Sequence, residues 1–144
     1  MQVIGFNFNK ISATKTDNPK GKMNIKMGIT FEKLTKEAVK SVNQDVIKAD
    51  FDFSVDYVKI ANLGFKGSVY FTATPDKIKE IIKHWDKNKQ LTEELKVPLM
   101  NFVLNKCNVK SLQLEEEFNL PPHIKLPKIA IPVEDPNKKD TKYV

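Results

Sequence analysis

Apolar and polar positions alternate through the first half of this chain, and the period lengthens to a helical one near residue 74. Ile4, Phe6 and Phe8 open the pattern. The phase then slips to Ile11 and Ala13, which predicts a bulge near Asn9–Lys10. Asp17-Asn18-Pro19-Lys20-Gly21 has the composition of a turn. Met23, Ile25, Met27, Ile29 and Phe31 alternate with polar partners and predict a half-buried second strand. Residues 33–44 read as a polar connection with weak helical character. Ile47, Ala49, Phe51, Phe53, Val55 and Tyr57 alternate with Lys48, Asp50, Asp52, Ser54 and Asp56, so the third strand has one covered and one wet face. Leu63, Phe65, Gly67, Val69 and Phe71 give a fourth, in which Gly64 and Gly67 permit a bulge or a close backbone approach.

Thr74 and Pro75 suit the N-cap and first position of a helix. Ile78, Ile81, Ile82 and Trp85 then share one stripe, and Lys87-Asn88-Lys89 ends it. Thr92 is a second N-cap, with Glu93 and Glu94 favourable to the helix dipole. Leu95, Leu99, Phe102, Val103 and Cys107 continue a stripe. Pro98 implies either a start near Val97 or a kink. Asn105–Asn108 reads as a break, followed by a short third helix over 109–118, with Leu112 and Phe118 inward and Glu115-Glu116-Glu117 outward. Leu120–Pro132 holds four prolines in 13 residues and is otherwise mostly apolar. Such a segment is extended and docks on a surface, its own or a partner's. Pro121, Pro122, Ile124, Leu126, Pro127 and Ile129 are the candidate docking residues.

The expected architecture is α+β: a two-layer sandwich with a four-stranded antiparallel sheet followed by two or three helices. One domain is expected over 1–132, with a disordered polar tail over 133–144. The chain has 144 residues, 40% of them hydrophobic and 29% charged, which is ordinary for a globular domain. No apolar run reaches membrane-spanning length, and Met1–Gly5 lacks the charged start of a secretory leader. Cys107 is the single cysteine, which excludes an intrachain disulfide and fits a cytoplasmic protein.

Charge adds a second reading. The net charge is +6, and every basic residue is lysine. Residues 1–40 carry eight lysines against three carboxylates, a local +5. Lys10, Lys15, Lys20, Lys22, Lys26 and Lys33 are the candidates for a basic face that docks on RNA or a ribosome. Without arginine there is no bidentate fork for base edges or phosphates, so sequence-specific reading is disfavoured.

The residues offer little chemistry. Neither His84 nor His123 has a His, Asp, Glu or Cys partner at i+3 or i+4, and both read as packing or surface histidines. No phosphate loop or nucleophile elbow is present. Asp50, Asp52 and Asp56 form a solvated row that Lys26 or Lys66 can neutralise across strands. Cys107 reads as buried and inert. No catalytic residue, metal or cofactor is assigned. The aromatic residues matter more, and core packing explains most of them. Where helices leave the sheet uncovered, Phe6, Phe8, Phe51 and Phe53, with Trp85 and Phe102, would line a groove for polypeptide.

Four antiparallel strands, two helices and the closing segment Phe118-Asn119-Leu120-Pro121-Pro122 resemble the SecB-like fold of bacterial export chaperones. Leu120–Pro127 also resembles the end of small uncharacterised archaeal proteins. The resemblance implies a non-enzymatic domain that forms homo-oligomers through its sheet and binds extended, non-native polypeptide in apolar grooves. It departs from the export chaperone in being basic and in lacking an acidic tail. No individual functional residue carries over.

Overall fold

The computed structural model describes residues 1–17, 24–39 and 44–130. Four strands precede two helices: β1 (Gln2–Lys15), β2 (Ile25–Val39), β3 (Gln44–Tyr57), β4 (Ala61–Thr72), α1 (Pro75–Asn88) and α2 (Glu93–Glu117). The strands form one antiparallel sheet in the order β1-β4-β3-β2. β1 and β2 are consecutive in the chain yet occupy opposite edges. α1 packs towards β2 and α2 over β4, on one face of the sheet. The architecture is thus α+β, as the change of period predicts.

Alternation decides which side chains form the core. Ile47, Ala49, Phe51, Phe53, Val55 and Tyr57 of β3 and Leu63, Phe65, Val69 and Phe71 of β4 are all buried beneath the helices. Thr74 and Thr92 stand at the two N-caps with extended backbone, and Pro75 opens α1. Gly67 lies on the inner face opposite Phe8 and Phe51. A Cβ there would sit 2.2 Å from the Asn7 carbonyl oxygen and 2.8 Å from the Phe51 ring. The bare backbone lets that ring lie flat, where it stacks on Phe6 at 5.4 Å.

The structure corrects the sequence reading in several places. β1 has the bulge expected between Phe8 and Lys10, and a second between Val3 and Gly5. The second makes Val3, not Ile4, the inward partner of Phe71, and leaves Ile4 exposed. Residues 33–39 are strand rather than connection. A bulge between Phe31 and Lys33 shifts the phase, so Leu34 becomes the inward residue and pairing runs on to Val39 opposite Gln44. Residues 40–43, and most of the turn over 17–21, lie outside the described residues, as do 131–144 with the polar tail.

Residues 93–117 form one helix, with neither a break at Asn105–Asn108 nor a separate third helix. Its buried positions are Leu95, Leu99, Val103, Cys107, Ser111 and Glu115, each four residues apart. Four residues turn about 40° beyond a full circle, so the stripe rotates by roughly 200° along the helix. A rotating stripe has no fixed apolar face, which is why it reads as interrupted. Pro98 sits within the helix and removes one backbone bond, while buried Leu95 and Leu99 on either side hold the turn to the core. Leu112 is half-buried, Phe118 is the C-cap, and Glu115 is buried rather than outward.

Candidate functional site

The six aromatic candidates divide by burial. Phe51 and Phe53 are core residues, closed to a ligand, whereas Trp85 is mostly buried but lines a cavity of about 230 Å³ with Ile29, Phe31, Leu91 and Met100. The helices cover the centre of the sheet, where these rings point. Phe6, Phe8 and Phe102 instead gather at the β1 edge beside α2. Phe6 meets Phe8 edge-on at 5.0 Å and Phe102 at 5.9 Å. Phe8 lies 5.8 Å from Phe65 of the core. The Lys106 ammonium lies 5.8 Å from the Phe102 ring centre, a cation–π contact.

Beside this cluster a cleft of about 530 Å³ opens between β1 and α2, lined by Phe8, Ile11, Asn105, Lys106, Val109, Lys110 and Gln113. Ile11 is 44% exposed and Val109 60%, so the rim is apolar and wet. Both project there for local reasons. The Phe8–Lys10 bulge returns Ile11 to the inner face opposite Phe65. The rotation of α2 turns Val109 away from the core and towards β1. β1 pairs only with β4, so its outer backbone edge is unpaired among the described residues. Ile11 and Val109 were not sequence candidates. The phase slip signalled Ile11; nothing in a helix read as broken signalled Val109.

The described lysine candidates are dispersed. Lys20 and Lys22 lie outside the described residues. Lys26 stands opposite Asp56 and Lys33 opposite Asp50. Lys66 lies 3.7 Å from Asp52 and 3.8 Å from Glu32, so the outer face mixes both signs. Lys10 is exposed opposite Lys66. Lys15 lies on the inner side and donates to the Phe118 carbonyl at 2.6 Å, capping the C-terminus of α2. Lysines gather instead on α1, where Lys79, Lys83 and Lys87 with Lys36 line a cleft of about 540 Å³.

The docking segment is half docked. Asn119 adopts a left-handed conformation and reverses the chain, and the Leu120 N–H returns to the Glu115 carbonyl at 2.8 Å. Leu120 is buried, and the Tyr57 hydroxyl donates to the Pro121 carbonyl at 2.5 Å. Pro122 and Pro127 are exposed and Ile124 is half-buried. Leu126 is 46% and Ile129 73% exposed, so these two docking candidates lie largely open to solvent.

His123 closes a network invisible in the sequence, because its partner is eight residues back. Its Nδ1 contacts the buried Glu115 carboxyl group, its backbone N–H donates to Glu115 Oε2 at 3.2 Å, and its Nε2–H donates to Asn108 Oδ1 at 2.8 Å. Burial pushes the Tyr57 hydroxyl well above its usual range, and the nearby Glu115 carboxylate pushes it further. Burial alone pushes the Cys107 thiol up to about 12. Glu115 and His123 line neither of the two clefts described above, and the pair holds the returning chain to α2. Among the described residues, no group of three or more His, Cys, Asp or Glu side chains could hold a metal. No described helix is long and apolar enough to cross a membrane.

No family model and no curated protein matches this sequence. Among solved structures, the chain is similar to the SecB-like chaperone Rv1957 of Mycobacterium tuberculosis, solved in complex with a ChAD peptide from the Rv1956 HigA1 antitoxin. Identity is 15%, the match covers 92% of each chain, and the TM-score is 0.44.

Proposed function

We propose that this chain is a non-enzymatic protein that binds an extended apolar segment of polypeptide in the β1–α2 cleft, in the manner of a chaperone. The observation that carries the reading is the open rim of Ile11 and Val109 beside the Phe6–Phe8–Phe102 cluster, along an unpaired strand edge. An extended chain beside β1 would take main-chain hydrogen bonds from the edge and place alternate side chains against the aromatics. The two bulges of β1 interrupt that edge and favour short segments over continuous strand pairing. The same free edges would let a second copy pair with the sheet.

The test is a titration of a labelled unfolded polypeptide, reduced and capped with iodoacetamide so that no charge is added. Binding by apolar contact is expected to hold or strengthen as salt rises. Binding that falls steeply with salt would contradict the cleft reading and favour docking through lysines, as on RNA.

A further inference from the structure

The C-terminal segment follows a course across the sheet. The Phe118 carbonyl is held by Lys15 of β1, and three residues later the Pro121 carbonyl is held by Tyr57 of β3. The strand order is β1-β4-β3-β2, so the chain has crossed from one edge to the third strand. The next strand on that course is β2.

The inner row of β2 begins at Ile25, directly opposite Tyr57, and continues with Met27, Ile29 and Phe31. The β3 partners Tyr57 and Val55 are buried, whereas Ile25 is 37% and Met27 50% exposed. α2 packs over β4 and α1 packs towards β2, where Leu34 is buried, which leaves the start of the row bare among the described residues. The lengths agree. Six steps of strand from Ile25 to Phe31 span about 20 Å. Six steps from Ile124 to Ala130, in polyproline geometry, span about 19 Å. The last fixed residue is His123, and the three residues from it to Leu126 reach at most about 11 Å.

We propose that residues 124–130 form a strap that closes in cis over Ile25 and Met27, and that this structure shows it open. Closure buries Leu126 and Ile129 against the bare row. The root of the strap, fixed by Tyr57 and by the Glu115–His123–Asn108 network, sets its direction. Its effect on client binding rests on the function proposed above. A closed strap withholds the β2 side from polypeptide and confines binding to the β1–α2 cleft.

The experiment is disulfide trapping in the full-length chain. Met27→Cys is paired with Leu126→Cys, and Ile11→Cys with Leu126→Cys serves as the comparison at the opposite edge. All three positions are exposed, and buried Cys107 stays in place. Under mild oxidation at low protein concentration, the Met27 pair is expected to close within one chain at least about tenfold faster than the Ile11 pair, reflecting a higher effective concentration. Equal rates would overturn the proposal. So would disulfides formed only between chains, which would mean that the segment docks on a second copy. No client is present, so failure here leaves polypeptide binding standing, and failure of client binding leaves the strap standing.

Discussion

Replacing His123 by alanine tests whether the buried network anchors the C-terminal segment. Glu115 is almost fully buried and receives two contacts from His123, one from the ring and one from the backbone N–H. The substitution removes the ring and strands the carboxylate in the interior. Breaking a buried pair by removing one partner costs on the order of 3–5 kcal/mol. A domain of this size has roughly 5–15 kcal/mol in total, so the variant should be marginal but folded. Urea unfolding followed by Trp85 fluorescence reads this as a midpoint lower by about 2 M, for a slope of about 2 kcal/mol per M. The double change Glu115→Met with His123→Leu removes both polar partners and keeps apolar volume. It should recover most of the loss, because apolar replacement of a buried pair is often close to neutral. A loss below about 1 kcal/mol for His123→Ala, or a double variant worse than the single one, would refute the reasoning.

Other outcomes follow from the packing. Gly67→Ala should destabilise by about 1–3 kcal/mol or more, since its Cβ meets the Asn7 carbonyl and the Phe51 ring, and the same urea titration measures it. Cys107, with its thiol pushed up to about 12, should not react with a disulfide reagent at mildly alkaline pH until the chain unfolds; rapid labelling of the native protein would contradict its burial. Tyr57 and Cys107 both have raised folded values, so the neutral forms belong to the folded state. Their contribution is complete below the unfolded values, 9.0 for the thiol and 10.0 for the hydroxyl, and is lost as pH rises above them. The melting temperature should therefore fall on the alkaline side, beginning near the thiol's unfolded value, and a flat profile there would count against it.

The strand half of the fold was legible because β3 and β4 are central strands with one face wholly covered. Every second residue there is forced to be apolar, and the wet face collected Asp50, Asp52 and Asp56. The edges were less legible because bulges reset the phase. Ile4 looked inward and is not, and Leu34 looked like connection and is strand. α2 misled for a different reason. Its buried stripe rotates as it passes from the sheet to the returning C-terminal segment, and its last member is a carboxylate that only His123 explains. Strand order has no local signal, so the union of Phe6 and Phe8 with Phe102 at one edge could not be read in advance. Cross-strand partners also decided the lysines. Lys26 and Lys33 add to a local charge excess in the sequence, yet in register they face Asp56 and Asp50.

The most direct test of the central claim is the affinity for the capped unfolded polypeptide after Ile11→Asp and Val109→Asp, made together. Both side chains are exposed, so the changes should leave the urea midpoint nearly unmoved. Binding should fall at least about tenfold, because a charge now sits on each rim of the cleft. Unchanged binding in a folded double variant would contradict the account and place the polypeptide elsewhere on the molecule.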